Sequence, residues 1–325
     1  MQENIEIAMI INKHIATSIY NNGEILVNET DIDFNEKKDT IKWNFKSNGG
    51  CIKSRIESND KLAEFLTNTI VKNRKLDGST FYHYIPLEYG FNIIEHNELQ
   101  FSSLSYLTKN DSEEYSEFLR RYSCNPAFNE EHISKAKDKI FIFCLTNKPD
   151  NQKFWDEYIK GKPGLCIGFK FEKADERLLA FFEFLDVLYD DTHNFDFINH
   201  IQEELYQKYC KRLFIGGINR IARHYKMSKY SWERETRLIF DFLENAKLHD
   251  ISYYKGITGT NLERHLKPEF DEVNNRHFMK IKFDNPFYKI KIKELTYNKY
   301  ISNERLVRIK SLLPKEVKVH KSATS

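Results

Sequence analysis

The stretch Tyr230–Asp241, YSWERETRLIFD, carries the most chemically suggestive spacing in the chain. Trp232, Leu238, Ile239 and Phe240 favour extended backbone, and neither Gly nor Pro interrupts them, so a strand is expected. Alternation then sets Glu233, Glu235 and Arg237 on one face and Trp232, Arg234, Thr236 and Leu238 on the other. Two carboxylates about 7 Å apart suit the gripping of a ligand hydroxyl or of a developing positive charge. The same spacing equally describes a solvated strand face with a Glu–Arg ladder, in which Arg237 neutralises Glu235.

Three further groups could do chemistry. His83 sits in the aromatic run FYHY and reads either as a ligand-facing imidazole or as a satisfied core histidine. Trp155 and Tyr158 lie one helical turn apart, which fits a stacking wall or plain packing. Residues 206–229 hold Lys208, Lys211, Arg212, Arg220, Arg223, Lys226 and Lys229 with interleaved aromatics. As a basic helix this segment could follow a phosphate backbone, or turn its charges to solvent and its aromatics to the core. Asn110, Asp111 and Glu114 read best as a capping cluster for a helix from Ser112 to about Tyr122.

The elements that must position these groups follow from periodicity. Phe81–Tyr84 reads as a strand, Pro86 opens a helix lined by Leu87, Phe91 and Ile94, and Asn97 suits a left-handed helix end. Leu99–Ser103 follows as a strand, too closely connected for a dinucleotide-binding βαβ unit, and no glycine-rich phosphate loop is present. Lys139–Leu145 is apolar throughout and implies burial on both faces. Leu165–Phe171 is a strand with Gly168 at its centre, where a ligand or another backbone comes close. Ile281–Phe283 and Phe287–Leu295 read as strands, Asn303–Leu313 as a helix and Val317–His320 as a last strand. Before residue 75 a small β-rich accessory unit is expected: Ile5–Tyr20 apolar and β-branched, Thr40–Phe45 alternating, Cys51–Ile56 a strand, then a helix with Leu62, Phe65, Leu66 and Ile70 on one face. Residues 76–325 form the second domain.

The 325 residues are 40% hydrophobic and 14% aromatic, enough for a sizeable core. Fifty basic residues nearly balance 48 acidic ones, so any polyanion site must be local. Five cysteines at 51, 124, 144, 166 and 210 form no CxxC pair and no zinc pattern with the histidines, so no metal site is expected and a reducing cytoplasm fits. No leader and no membrane-spanning run is expected.

The pieces YHYIPLEYGFNIIEHNELQFSS, YLTKNDSEEY, KIFIFCLTNKPDNQKFWDEYIKGKPGLCIGF, KYSWERETRLI and KIKELTYNKYISNERLVRIKSLL, with a late VHKS, resemble in order the bacterial domain of unknown function twenty-nine seventy-one. The resemblance runs from about Tyr82 to Ser322; Ile85 and Ser112 depart from the family's usual residues. The Phe81–Ser103 unit is also similar to the opening of ADP-ribosyltransferase-like folds. There a strand with a His-Tyr or His-Thr pair leads through a helix to a strand with Ser, within a split mixed β-sheet flanked by helices that binds NAD in its cleft. The resemblance implies an α+β fold and an NAD-dependent ADP-ribosyltransferase or NAD glycohydrolase, in a bacterial toxin or anti-phage role. By that resemblance Glu235 holds the ribose 2′-hydroxyl and stabilises an oxocarbenium-like centre, while Glu233 orients the acceptor. His83 binds the ribose or amide, and Tyr84, Trp155 or Tyr158 stacks on nicotinamide. Ser102 lies at the cofactor, and Arg237 clasps the pyrophosphate. The acceptor would be protein, nucleic acid or water. The competing expectation is a non-catalytic nucleotide- or nucleic-acid-binding sensor using the basic segment 206–229.

Overall fold

The chain opens on a helix, α1 (Gln2–Ala16), where its isoleucines had suggested a strand. Ile7, Ile10, Ile11 and Ile15 recur at helical spacing and are all buried, so the 3.6-residue period overrides the β-branched preference. The computed structural model describes residues 2–20, 32–34, 54–58, 70–71, 78–107, 109–122, 130–173, 182–214, 218–241, 266 and 268–325. The strand expected at 40–45 and the helix cap at 59–60 lie outside the described residues, as does most of that helix.

After α1 come β1 (Ile32–Phe34), β2 (Ser54–Ser58), β3 (Thr80–Pro86), α2 (Leu87–His96) and β4 (Glu98–Ser103). Then follow α3 (Lys109–Tyr122), α4 (Glu130–Lys137), β5 (Ile140–Thr146), and a short α5 (Gln152–Phe154) that widens into a π-turn over Trp155–Ile159. The chain continues through β6 (Gly164–Lys173), β7 (Glu183–Asp186), β8 (Leu188–Tyr189), α6 (Asp196–Tyr209), β9 (Lys211–Phe214), α7 (Ile218–Ala222) and β10 (Tyr225–Lys226). It ends with a 3-10 turn at Ser228–Glu233, β11 (Glu235–Asp241), β12 (Pro268–Asp271), β13 (Arg276–Lys282), β14 (Tyr288–Tyr297), α8 (Asn303–Leu312) and β15 (Lys318–Lys321). No helix among the described residues is long and apolar enough to cross a membrane.

Contacts divide the chain into two units, neither a continuous stretch. The first joins Met1–Lys72, Glu113–Ile133 and Leu188–Lys229. In it α1 packs on α6, and Glu204 accepts from Lys13 Nζ at 2.9 Å and lies 2.8 Å from His14 Nε2. That pairing ties the N-terminal stretch to residues that periodicity alone assigned to the second domain. The basic segment 206–229 is not one helix. It breaks at Cys210, whose φ is 52°, passes through β9, α7 and β10, and buries Arg223 and Lys226 almost completely. Lys211 pairs with Glu3, and Lys208 with Glu204. Among the described residues, the segment 206–229 is therefore not a continuous basic helix.

The second unit, Asn73–Ser112, Ser134–Val187 and Tyr230–Ser325, is α+β. Its ten-stranded sheet is mixed but mostly antiparallel, ordered β12-β13-β4-β5-β3-β6-β14-β15, with β11 also paired to β5 and β7 beyond it. Only β14 and β15 run parallel within it. One sheet face carries the core: Phe101, Phe143, Phe169, Phe182 and Phe184 are at most 3% exposed. Their rings meet mainly tilted or edge-on, as Phe81 meets Phe184 at 5.0 Å, the arrangement that ring quadrupoles favour. Helix α2 ends where Asn97 takes φ 49° and ψ 51° and donates its N–H to Ile93 O.

Gly168 in β6 marks a crowded point, filled here by side chains. A Cβ there would sit 2.9 Å from both Glu294 Cγ and Thr80 Cγ2 and 3.1 Å from the Tyr82 ring. Tyr82 donates its hydroxyl to Glu294 beside it. Gly168→Val is expected to lower unfolding free energy by about 1–3 kcal/mol, as overpacked sites do, read from the midpoint of urea denaturation.

Candidate functional site

The sheet forks at β5. Along one edge β11 pairs without a break, from Glu235 opposite Thr146 to Asp241 opposite Ile140. The other edge is shared: β4 takes Phe141 and Ile142, while β3 takes only Thr146. Residues 143–145 have no strand partner on that side among the described residues, and β3 and β4 splay apart with α2 joining them. A carbonyl left open in such a gap needs a donor. His83 supplies it: its Nδ1 lies 2.8 Å from Cys144 O. A carbonyl can only accept, so Nδ1 carries the hydrogen and Nε2 of the neutral ring is an acceptor. Burial lowers the His83 pKa to about 4, against the raising influence of the Cys144 bond. The ring also packs against Phe143, centroid to centroid 4.5 Å.

A cleft of about 380 Å³ opens at this fork. Its walls come from β3 through His83, from α2 through Tyr89 and Asn92, from β4 through Gln100 and Ser102, and from β13 through Arg276 and Lys280. Register explains why its floor is polar. Lys280 lies opposite Gln100, Phe278 opposite Ser102, and Ser102 opposite Ile142, so these side chains share one face. Leu99, Phe101 and Met279 take the other face and join the core. Glu98, at the rim, lies 2.8 Å from Lys282 Nζ and 3.4 Å from Lys280 Nζ. Burial would raise its carboxyl; the lysine hydrogen bonds outweigh that and hold it below the usual carboxylate range.

Of the residues expected to act together, His83 and Ser102 line the cleft, and Glu233, Glu235, Arg237, Tyr84, Trp155 and Tyr158 do not. The extended strand expected from Tyr230 begins only at Glu235. Residues Ser228–Glu233 form the 3-10 turn and Arg234 takes φ 44°, so alternation does not carry Glu233 onto the face of Glu235. Glu233 is buried and accepts from Tyr158 Oη at 2.6 Å. Glu235 is 5% exposed and accepts from Arg237 Nε at 2.8 Å, the neutralising arrangement of the two alternatives read from their spacing. Strand β5 runs between Glu235 and His83: Thr146 pairs with Glu235 on one side and with Tyr82 on the other. Glu235 and His83 therefore lie on strands to either side of β5, and of the two only His83 lines the cleft.

The aromatic candidates belong to a separate cluster. Tyr84 stacks on Phe154 at 4.7 Å, donates to Lys148 O at 3.0 Å and accepts from Asn151 N at 2.7 Å. Trp155 is 2% exposed and donates Nε1 to Asp150 Oδ1 at 2.9 Å. Tyr158 stacks on Phe154. Tyr84 and Trp155 are buried in this cluster, whereas Tyr158 is 43% exposed. Sequence reasoning missed Gln100, Tyr106, Arg276 and Lys280. The signal was present in RHFMKIK, where Arg276, Phe278, Lys280 and Lys282 alternate with the buried Met279 and Ile281.

The model of the family described as protein of unknown function (DUF2971) matches residues 154–238. No curated protein and no solved structure matches the chain. The DUF2971 segment supplies β6, β7 and the first residues of β11, whereas every residue lining the cleft lies outside it.

Two outcomes follow. Because the folded His83 pKa lies below its ordinary value of 6.5, its contribution to stability is complete above about pH 6.5 and is lost as pH falls toward 4. Denaturation of wild type and His83→Gln across pH 4 to 7.5 should show wild-type stability falling more steeply in that window. Arg237→Met, which removes the guanidinium paired with the buried Glu235 carboxylate, should cost about 3–5 kcal/mol by the same measurement.

Proposed function

We propose that the cleft at the sheet fork binds a nucleotide and that the chain consumes NAD, as an ADP-ribosyltransferase or NAD glycohydrolase on an ADP-ribosyltransferase-like fold. The observation that supports this reading most is the fork. A strand bearing His83 leads through a helix to a strand bearing Ser102, the two strands part, and both side chains open on one cavity. At about 380 Å³ the cavity lies at the small end of ligand sites, room for a nucleoside-sized moiety with the rest of a dinucleotide extending beyond it.

In this reading the bond between ribose C1′ and the nicotinamide nitrogen breaks, and its electron pair leaves with the ring. An acceptor oxygen or nitrogen then bonds to C1′ and gives up its proton. A conjugate acid near pH 4 makes His83 a poor base at neutral pH, so its Nε2 serves as a hydrogen-bond acceptor for a ribose hydroxyl or the carboxamide N–H. The positive charge that builds on the ribose calls for a carboxylate. Glu98 borders the cleft, while Glu235 would have to leave Arg237 to take part. Depletion of NAD would arrest a cell, the outcome a toxin or defence effector requires.

A second reading is favoured by one observation: the nearby carboxylates are already neutralised, Glu98 by two lysines and Glu235 by Arg237. On that basis the cleft senses a nucleotide without cleaving it. Incubation of the purified chain with NAD labelled in the nicotinamide ring separates the two. Release of free nicotinamide, reduced about tenfold or more in His83→Ala and strongly in Glu98→Gln or Glu235→Gln, is the expected result for the enzyme. Binding with the label recovered intact would leave the sensor, and no binding would dismiss both.

A further inference from the structure

The β12–β13 hairpin orients one side chain more tightly than packing requires. Asp271 accepts from Asn274 N at 3.1 Å, from Asn274 Nδ2 at 2.7 Å and from Arg276 Nε at 3.2 Å, and Asn275 turns the chain with φ 47°. The guanidinium of Arg276 lies over the Tyr106 ring, its central carbon 4.8 Å from the centroid. The Arg276 side chain is only 12% exposed, yet it lines the cleft. The bond to Asp271 uses Nε, and neither Nη group donates to a described residue. A guanidinium held at its inner nitrogen and across one face, on a residue that lines a cavity, matches two oxygens of a phosphoryl group. Lys280, on the same face of β13, lines the same cavity and adds a second positive charge, partly offset by Glu98 at 3.4 Å.

We propose that Arg276 is the phosphate-binding group of the cleft, taking a phosphoryl or pyrophosphoryl group through its two Nη donors. Asp271 and Tyr106 act as positioning residues and Lys280 as an accessory charge. This rests on the reading of the cleft as a nucleotide site and narrows it: the ligand is a phosphorylated nucleoside, and a free nucleoside or base binds poorly. Arg276 is supplied from a part of the chain 170 or more residues beyond the strands that carry His83 and Ser102.

The test is calorimetric titration of the full chain with adenosine, AMP, NAD and inorganic pyrophosphate. Wild type should bind AMP at least about tenfold more tightly than adenosine, as a charge-assisted pair implies. The gap should shrink as salt rises. Arg276→Gln should abolish the gap and the binding of pyrophosphate while leaving adenosine within about twofold. Arg276→Lys, which keeps the charge but lacks the fork, should lose most of the gap, and Asp271→Asn part of it. Should Arg276→Gln fail to fold, judged by its melting curve, the lysine variant carries the same comparison. Equal affinity of wild type for adenosine and AMP, or unchanged AMP and pyrophosphate binding in the Arg276 variants, overturns the proposal. NAD turnover decides the other reading separately. A phosphate gap without nicotinamide release upholds Arg276 and removes the enzyme. Release undiminished in Arg276→Gln, with no gap, does the reverse.

Discussion

A single hydrogen bond, from the His83 imidazole to the carbonyl of Cys144, lets the sheet part without leaving its backbone unsatisfied at that point. A strand edge that loses its neighbour normally takes water or a new strand. Here β5 keeps β11 along its full length, so the fork removes pairing from one edge only. The imidazole completes that edge and lines the opening, which fixes its tautomer and leaves Nε2 as the acceptor. The ring is thus structural through Nδ1 and keeps Nε2 as an acceptor on the side of the opening.

The polar cleft floor and the aromatic core lie on opposite faces of the same strands. Gln100 and Ser102 face the opening while Leu99 and Phe101 face inward, and β13 repeats the alternation with Lys280 against Met279 and Ile281. Burial of the phenylalanine face holds the register, since a slip of one residue would invert both faces at once. The positions of the cationic groups are therefore set by core packing on the far side of the sheet. Their charge costs little there, because Asp271 and Glu98 stand beside them.

Much of this was legible from local pattern. The unbroken apolar run of β5 announced a strand buried on both faces, and Asn97 marked the end of α2 by its tolerance of left-handed backbone. Failures came where local preference and tertiary context diverge. The isoleucines of α1 favour strand as single residues, but their spacing lets four of them bury on one helical side. Residues 228–233 contain no breaker, yet they coil, and the chain enters β11 through a left-handed Arg234 that no glycine advertised. The paired carboxylates looked functional because an ideal strand would align them. The cleft's cations went unseen for a different reason: their place depends on β13 lying beside β4, a pairing between segments far apart in sequence that neither one encodes alone.

Helix α2 is the one covalent link between the two arms of the fork. Its ten residues span about 15 Å, so the chain itself acts as a strut that holds β3 and β4 at a set spread. Insertion or loss of one residue would swing everything after it by about 100° around the helix axis and unseat β4 from β13. A whole turn could be added with the facing preserved, widening the mouth in a step of about 5.4 Å. The gauge of the opening is thereby written in the count of residues between Pro86 and Asn97, the same residues whose side chains form one of its walls.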